Sequence, residues 1–232
     1  MKTTSPIALT IAGSDSGGGA GIQADLKTFH AFGVFGTSAI TAITAQNTIG
    51  VRAIHAIPLD LVEAQIDAVA EDLRPGAVKT GMLASEELVM TVAGALRKHA
   101  LGNYVMDPVM VATSGDRLLD QGAEQALVRH LLPLATLVTP NLHEAGILTG
   151  RVVRTLEEMR SAARDLVDMG ARAALVKGGH LKDEEATDLL WDGSRERLWR
   201  RPRIRSRHTH GTGCTLSAAV AASLARGMDL AD

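Results

Sequence analysis

The sequence predicts an α/β fold of three layers, in which helices cover both faces of a mostly parallel central sheet. Short apolar runs alternate with helical patterns along the chain, which is typical of strand–helix–strand units. Phe, Trp and Tyr make up only 3% of the 232 residues, so Ala, Val, Leu, Ile and Met must form most of the core. Such side chains suit helices that lie closely on a sheet, and right-handed crossovers make its strands parallel.

The first half of the chain contains five predicted strands and three predicted helices. The first apolar run ends in a glycine-rich turn, and the helix after it places Ile22, Leu26 and Phe29 on one face. Pro75 follows a predicted helix and Pro108 follows a predicted strand. The predicted strands are 6–12, 37–46, 51–57, 77–80 and 104–107, and the predicted helices are 21–31, 59–73 and 86–99.

The second half continues the alternation and ends in a hairpin and an apolar helix. The predicted helices are 122–132, 142–148, 156–169 and 215–225, and the predicted strands are 134–139, 173–177, 189–191 and 198–204. Asp192-Gly193 between the last two strands is typical of a hairpin turn. Gly227 is expected to stop the last helix, and Asp229 with Asp232 resembles the start of another. We therefore expect one domain over 1–232 whose C-terminal end is incomplete.

Composition argues against several classes of function. The formal charge is −2, so no basic excess indicates a nucleic-acid partner. Seven arginines lie within 195–207, but Arg203, Arg205 and Arg207 alternate like one exposed strand face, and aromatic groups that stack on bases are scarce. No HExxH or CxxC motif favours a zinc site. The single cysteine, Cys214, cannot form an intrachain disulfide, and we expect a cytoplasmic protein without a membrane span.

Two glycine-rich segments begin predicted helices. The first glycine loop, 13–21, would let a ligand approach the backbone closely. It is not a dinucleotide fingerprint, because Ile22 stands where the third glycine belongs, and no Gly-Lys-Ser/Thr follows as in a P-loop. A tight turn without a ligand is the alternative.

The second glycine loop, Gly211-Thr212-Gly213-Cys214, opens the last apolar helix. Four consecutive amides at a helix start form a site for a phosphate or a developing anion. The only cysteine lies in that site, where the field of the helix is expected to lower the pKa of its thiol. The alternative is a small buried residue at the start of a packed helix.

Four polar residues follow or end predicted strands. The carboxyl ends of strands line the ligand crevice of open α/β sheets, and carboxylate oxygens of Asp107 and Glu144 there would suit Mg²⁺. Lys177 could reach a nucleotide phosphate as a point charge. The carboxamide of Gln46 matches the edge of an aminopyrimidine or an amide. The alternatives are ordinary caps, a surface acid and a solvated loop lysine.

Taken together, the motifs resemble those of hydroxymethylpyrimidine/phosphomethylpyrimidine kinases, a family of the ribokinase-like fold. The likeness runs in order and nearly without gaps from about residue 7 to residue 227. The matching motifs are Ala12-Gly13-Ser14-Asp15, Gly21-Ile22-Gln23-Ala24-Asp25-Leu26-Lys27, Ala45-Gln46-Asn47-Thr48, Lys79-Thr80-Gly81-Met82-Leu83, Asp107-Pro108-Val109-Met110, Thr139-Pro140-Asn141 through Glu144, Lys177-Gly178-Gly179-His180 and His210-Gly211-Thr212-Gly213-Cys214.

The resemblance implies phosphorylation of 4-amino-5-hydroxymethyl-2-methylpyrimidine, then of its monophosphate, in thiamine biosynthesis. It implies ATP and Mg²⁺ as cofactors and a homodimer as the assembly. Around the substrate it implies Gln46 on the pyrimidine edge, with Gly13, Asp25, Met82 and Val109 near the ring or the hydroxymethyl group. A first loop with Ser16-Gly17 in place of the family's frequent Pro-Ser is expected to be looser.

For the nucleotide, the resemblance implies that Lys177, Thr212 and Asn141 contact ATP. Asp107 and Glu144 would lie near the metal and the phosphates.

For catalysis, the resemblance implies an anion hole from Gly211 to Cys214, with Gly211, Gly213 and Cys214 as catalytic residues and the cysteine in place of an aspartate base. A primary alcohol is protonated at neutral pH and benefits from a base, whereas a phosphate monoester is already mostly dianionic. We therefore expect Cys214 to matter more for the first phosphorylation than for the second.

Two other interpretations remain at this point. A pyridoxal kinase of the same fold would accept a similar hydroxymethyl group on an aromatic nitrogen ring. A ligand-binding module without catalysis would use the same scaffold, although every candidate residue of the reaction is present.

Overall fold

Nine strands form one mixed sheet within the residues that the computed structural model describes, namely 5–110, 119, 121–179, 181, 185–204, 206 and 209–230. The strands are β1 (Ile7–Asp15), β2 (Phe35–Gln46), β3 (Val51–Ala56), β4 (Ala77–Thr80), β5 (Tyr104–Met106), β6 (Leu137–Val138), β7 (Ala174–Val176), β8 (Glu185–Trp191) and β9 (Glu196–Pro202). Their order is β3-β2-β1-β4-β5-β6-β7-β8-β9. The six strands from β2 to β7 in this order are parallel, and β3, β8 and β9 add antiparallel edges.

Helices cover both faces of the sheet, as the sequence predicts. The helices are α1 (Gly21–Ala31), α2 (Leu59–Asp72), α3 (Glu86–Lys98), α4 (Gln121–Ala126), α5 (Leu142–Thr149), α6 (Leu156–Asp168) and α7 (Thr212–Ala225). Among the described residues, none of these helices is long and apolar enough to cross a membrane.

Alternation along the central strands divides the core into two layers. Leu9 and Ile11 of β1 and Val78 of β4 pack with the apolar faces of α2 and α3. Ala8 of β1 and Ala77 of β4 point to the other face and pack with α1 and α7. Successive strand residues point to opposite faces of the sheet. The polar side chains of Thr10 in β1 and Lys79 in β4 therefore also face α1 and α7.

The structure corrects several predicted boundaries. β1 continues through Asp15, because Gly13 forms a bulge against β2 and Ser14 pairs with Gly21. The predicted helix 122–132 runs from 121 to 134, first as α4, then as a π-helical turn (Leu127–Leu131) and a 3₁₀ turn (Leu132–Leu134). That extension leaves β6 only two residues of the strand predicted at 134–139.

The C-terminal region differs from the sequence predictions in two respects. β9 ends at Pro202, so Arg203 is not part of a strand face, and Arg205 and Arg207 lie outside the described residues. α7 begins at Thr212 rather than at position 215. Gly227 follows α7 at φ +83°, as expected for a helix stop. The further helix expected from Asp229 to Asp232 reaches residues outside the described part.

Candidate active site

One cleft at the carboxyl ends of the parallel strands contains nearly all of the predicted site residues. Its volume is about 1490 Å³, and it is bordered by the first glycine loop, the β2–β3 hairpin and the N-terminus of α7. Asp25 is the one predicted residue that does not line it. Those that do are Gly13, Gln46, Met82, Val109, Asp107, Asn141, Glu144, Lys177, Gly211, Thr212, Gly213 and Cys214.

The N-terminus of α7 presents backbone amides to this cleft. Gly211 caps the helix at φ +78°, and a Cβ there would lie 1.7 Å from the carbonyl oxygen of Gly19, so only glycine fits. Among the described residues, the amides of Gly213 and Cys214 have no backbone acceptor. The amide of Thr212 donates to the carbonyl of Thr209 at 3.3 Å, so the anion site offers fewer free amides than the four that the sequence predicts.

Asp15 closes the first glycine loop and ties it to the second. Its carboxylate accepts the amides of Gly17 at 2.8 Å, Gly19 at 3.1 Å and Ala20 at 2.8 Å. The Nε2 atom of His210 lies 2.8 Å from the same carboxylate. Burial opposes ionisation here, but the His210 contact and these amides hold the pKa of Asp15 below its usual value. The two loops therefore form one wall of the cleft.

Asp107 and Lys177 form an ion pair beside the first turn of α7. The Nζ atom of Lys177 lies 3.2 Å from Asp107 Oδ1, and the Ser217 hydroxyl donates to Asp107 Oδ2 at 3.0 Å. Burial alone would raise the pKa of Asp107, but Lys177, Lys79 and the Ser217 hydroxyl outweigh it and hold that pKa below its usual range. Asp107 therefore carries a full negative charge at neutral pH.

Glu144 faces Asp107 across the same end of the cleft. Its carboxylate accepts the Asn141 amide at 2.8 Å, while the Asn141 side chain accepts two amides of the first turn of α5. Burial, with Lys177 opposing and the charge of Asp107 reinforcing it, raises the pKa of Glu144 to about 7. Two neighbouring carboxylates that repel each other in a cleft fit a hard divalent cation such as Mg²⁺, which would relieve that repulsion.

Asp25 lies behind the cleft wall in a second ion pair, which was not predicted. Lys79 Nζ lies 3.0 and 2.9 Å from the two Asp25 oxygens, and the Thr10 hydroxyl donates to Asp25 at 2.6 Å. Asp25 and Lys79 are fully buried. In this structure Asp25 therefore supports the cleft wall through Lys79 and does not reach the space where a substrate would lie.

Cys214 lies in the cleft near both ion pairs. The backbone amide of Gly21 lowers the pKa of its thiol. Burial raises the pKa of the thiol, and Asp107 and Asp25 add to that effect against the opposing charge of Lys79. The prediction that the helix start lowers this pKa is therefore wrong, because desolvation and two carboxylates outweigh the helix field.

Gln46 lies at the other end of the cleft and is held by its neighbours. The Ser16 hydroxyl donates to the Gln46 carbonyl at 2.7 Å and accepts the Gln46 amide at 2.8 Å. These two bonds tie down the loop that the resemblance predicts to be looser. Thr44 Oγ1 donates to the Ser14 carbonyl at 2.7 Å and lies 3.2 Å from the Gln46 carboxamide oxygen.

Apolar groups complete this end of the cleft. Met82 and Val109 line it. A Cβ on Gly13 would lie 3.0 Å from Met82 Cε, so glycine at that position lets the methionine side chain lie against the strand. A flat ring between Met82, Val109 and the glycine backbone suits this arrangement.

Four residues of the site were not singled out from the sequence as site residues: Asp15, Lys79, His210 and Ser217. Lys79 has a usable signal, since a lysine inside the short apolar strand 77–80 needs a buried partner. The serine follows Cys214 by three positions in an otherwise apolar helix. The contact between Asp15 and His210 has no local signal, because it joins residues 195 positions apart.

Comparison with known proteins gives the same fold and a consistent group of activities. The model of the family described as phosphomethylpyrimidine kinase matches residues 15–232. A protein of Rhizobium meliloti named hydroxymethylpyrimidine/phosphomethylpyrimidine kinase is 58% identical over 227 residues, which cover 97% of this chain and 84% of that protein. The thiamine biosynthesis bifunctional protein ThiED of Geobacter sulfurreducens is 52% identical over 94% of this chain and 45% of its own length.

Solved structures include two vitamin kinases that superimpose closely. Phosphomethylpyrimidine kinase from Clostridium difficile has a TM-score of 0.87 at 42% identity, covering 97% of this chain and 93% of that one. The ADP complex of Bacillus subtilis pyridoxal kinase has a TM-score of 0.91 at 40% identity, covering 98% and 87%. The predicted ribokinase-like fold is confirmed.

Proposed function

The chain belongs to the phosphomethylpyrimidine kinase family, and on that premise we propose that it phosphorylates 4-amino-5-hydroxymethyl-2-methylpyrimidine and then its monophosphate, using ATP, in thiamine biosynthesis. The observation that carries this proposal is the joining of two subsites in one cleft. The amides at the start of α7 and Lys177 suit the outer phosphates of ATP, while Gln46 and Met82 line the end that suits a small ring.

Lys177, Thr212 and Asn141 are the groups that would orient the triphosphate. The position of a Cβ on Gly213 lies 3.2 Å from Lys177 Nζ, so the ammonium group and the free amides converge on one point. Charge that develops on the transferred group would be stabilised there. Gly211 and Gly213 act through their backbone, because a Cβ on Gly213 would crowd the Lys177 ammonium group and one on Gly211 would meet the Gly19 carbonyl.

Asp107 and Glu144 would hold the Mg²⁺ ion that accompanies ATP, and the ion would neutralise charge on the phosphates. The test is metal removal. ADP formation should stop in excess chelator and return when Mg²⁺ is restored, and Asp107→Asn should need more Mg²⁺ for half-maximal rate. Full activity in chelator would contradict the metal assignment.

Gln46 would select an aminopyrimidine through its carboxamide oxygen. The Thr44 hydroxyl has one proton, and the Ser14 carbonyl at 2.7 Å binds it more strongly than the 3.2 Å contact with Gln46. The carboxamide can then turn its amide nitrogen towards Thr44 and its oxygen towards the cleft. An exocyclic amine, which only the pyrimidine alcohol carries at this position, would donate to that oxygen.

Cys214 lies where a base for the acceptor alcohol belongs. Because its pKa is raised, the thiol is the resting form, and only the thiolate fraction can take the alcohol proton. The rate of the first phosphorylation should therefore rise with pH through the neutral and mildly alkaline range. The second phosphorylation starts from a dianion and should lack this rise. In Cys214→Ser the first step should fall by roughly 10²–10⁴-fold and the second much less.

Pyridoxal phosphorylation is the second candidate, favoured by the close superposition on Bacillus subtilis pyridoxal kinase. Initial rates of ADP release with the two alcohols, at equal concentrations, separate the candidates. We expect a higher kcat/KM for the pyrimidine, and Gln46→Ala should reduce this preference by roughly tenfold. A higher kcat/KM for pyridoxal would overturn the assignment of the acceptor.

A homodimer is the assembly that we propose. Ile43 is 52%, Ile49 85% and Ile54 50% exposed on the β2–β3 hairpin, and such a patch suits burial by a second copy. Light scattering should give twice the chain mass, and Ile54→Arg should lower it to that of one chain. As a kinase that uses ATP and has one free thiol, the protein fits the cytoplasm.

A further inference from the structure

Lys79 is a buried ammonium group that the proposed reaction does not yet use. It lies on β4, opposite Thr10 of β1, on the sheet face covered by α1 and α7. Its side chain is 0% exposed, yet it forms part of the wall of the cleft. A Cβ at position 81 would lie 3.2 Å from its Nζ atom, so only the backbone of Gly81 lies over the ammonium group on that side.

A hydrogen-bond network fixes the position and the charge of Lys79 and uses two of its three N–H groups. Two of its three N–H groups serve the Asp25 oxygens at 3.0 and 2.9 Å, and Thr10 fixes the carboxylate from the other side. Burial alone would lower the pKa of Lys79, but Asp25 and Cys214 raise it, so the ammonium form persists. The third N–H has no hydrogen-bond acceptor among the described residues.

Cys214 lines the same cleft as Lys79, and α7, which carries it, packs against the strand of Lys79. The charges that act on the pKa of the sulfur come from four elements: Lys79 on β4, Asp25 on α1, Asp107 after β5 and Lys177 after β7. The two carboxylates and burial oppose a thiolate there. Lys79 is the group that opposes burial most, ahead of the Gly21 amide.

We propose that Lys79 is a positioning residue for Cys214: fixed by Asp25, it holds the sulfur at the edge of the anion site and stabilises the thiolate that takes the alcohol proton. This rests on the proposed function. As the alcohol oxygen bonds to the γ-phosphorus, the bond from that phosphorus to the ADP oxygen breaks. The O–H bond of the alcohol breaks as well, and its proton moves to the sulfur.

The test uses the reactivity of Cys214, which is the only cysteine of the chain. Iodoacetamide reacts with the thiolate, so its rate against pH reports the ionisation of this one thiol without any substrate. In Lys79→Met the midpoint should move up by about one pH unit, which slows alkylation at neutral pH by about tenfold. In Asp25→Asn it should move down, because a negative charge is removed.

A double variant keeps the test decisive if Lys79→Met alone fails to fold. Lys79→Met/Asp25→Asn removes both charges and leaves no unpaired ion in the core. Its midpoint should still move up, by less than in the single variant, because Lys79 acts on the sulfur more strongly than Asp25 does. Lys98→Met is the matched control, since Lys98 lies on the surface at the end of α3 and should leave the midpoint unchanged.

The outcomes separate this inference from the proposed function. Unchanged midpoints in both Lys79 variants would overturn the inference, even in an active kinase. Shifted midpoints in a protein without kinase activity would support the electrostatic effect of Lys79 on Cys214 and reject the reaction. With activity present, the double variant should slow phosphorylation of the alcohol more than that of the monophosphate, by a factor below the tenfold expected for Lys79→Met alone. Equal slowing of both steps would mean that Lys79 serves only to maintain the fold.

Discussion

Two lysine–aspartate pairs flank the start of α7, and they differ in their access to the cleft. In the inner pair, Lys79 contacts both oxygens of Asp25 at 2.9 and 3.0 Å, and both side chains are 0% exposed. In the outer pair, Lys177 contacts one oxygen of Asp107 at 3.2 Å, and its side chain is 16% exposed. The same two side-chain types therefore meet in two different environments.

This difference indicates that the two ion pairs have different roles. Separating Lys79 from Asp25 would leave a buried charge without a partner. Lys79 can therefore act only as a charge held in a fixed position. The outer pair lines the cleft. Lys177 can therefore bind a phosphate and Asp107 a cation, so that neither charge is left without a partner. The inner pair should therefore appear mainly in stability, and the outer pair mainly in turnover.

Breaking the inner pair should give the largest effect. Lys79→Met leaves the buried Asp25 carboxyl without the partner that compensates its charge, which costs roughly 3–5 kcal/mol of unfolding free energy. Urea denaturation followed by circular dichroism measures it. Lys79→Met/Asp25→Asn should recover most of the loss, because no buried charge remains. A double variant as unstable as the single one would contradict the role of the unpaired carboxylate.

Breaking the outer pair should reverse the pattern. Lys177→Met removes a charge that faces the transferred phosphoryl group, so kcat should fall by roughly 10²–10³-fold. Its urea midpoint should change much less than that of Lys79→Met, because Asp107 keeps the hydrogen bond from the Ser217 hydroxyl and the nearby charge of Lys79. Steady-state kinetics and denaturation of the same preparation test both statements. A destabilisation as large as that of Lys79→Met would remove the distinction between the pairs.

Ser217 offers a smaller perturbation of the outer pair. Ser217→Ala removes one hydrogen bond to the buried carboxylate of Asp107, which should cost roughly 1–3 kcal/mol of unfolding free energy. Ser223→Ala on the same helix is the matched control, because Ser223 is only partly buried. Equal losses in the two variants would indicate that the contact with Asp107 contributes nothing.

A third pair tests whether burial, and not distance, decides the outcome. Lys98 lies 2.7 Å from Asp67, closer than either lysine of the site lies to its aspartate, but its side chain is 49% exposed. Solvent screens such a pair, so Lys98→Met should leave both the urea midpoint and kcat unchanged. A clear loss of stability in this variant would show that distance matters more than the account allows.

Most of the fold and much of the site could be predicted from the sequence, because the signals are local. The helix at Gly21–Ala31 and the strand at Ala77–Thr80 have the predicted bounds, since apolar spacing and neighbouring glycines define them. The gathering of Asp107, Glu144 and Lys177 follows from the rule that parallel strands end at one edge. The remaining candidate site residues followed from the resemblance of the motifs to the kinase family.

The features that could not be predicted depend on contacts between distant segments. Asp25 pairs with a lysine 54 positions away, and that partner draws it behind the cleft wall. The thiol of Cys214 has a raised pKa because two carboxylates and burial act on it together, whereas the helix start alone would lower it. Such balances depend on three-dimensional proximity, which no local pattern contains.

A ³¹P nuclear magnetic resonance time course with ATP, Mg²⁺ and the hydroxymethylpyrimidine alcohol tests the central claim most directly. The account predicts a monoester signal that rises first and then gives way to the two signals of a diphosphate, while ATP is converted to ADP. Lys177→Met should slow both stages, and Cys214→Ser mainly the first. Unchanged ATP, or inorganic phosphate as the only new signal, would contradict phosphoryl transfer to this acceptor.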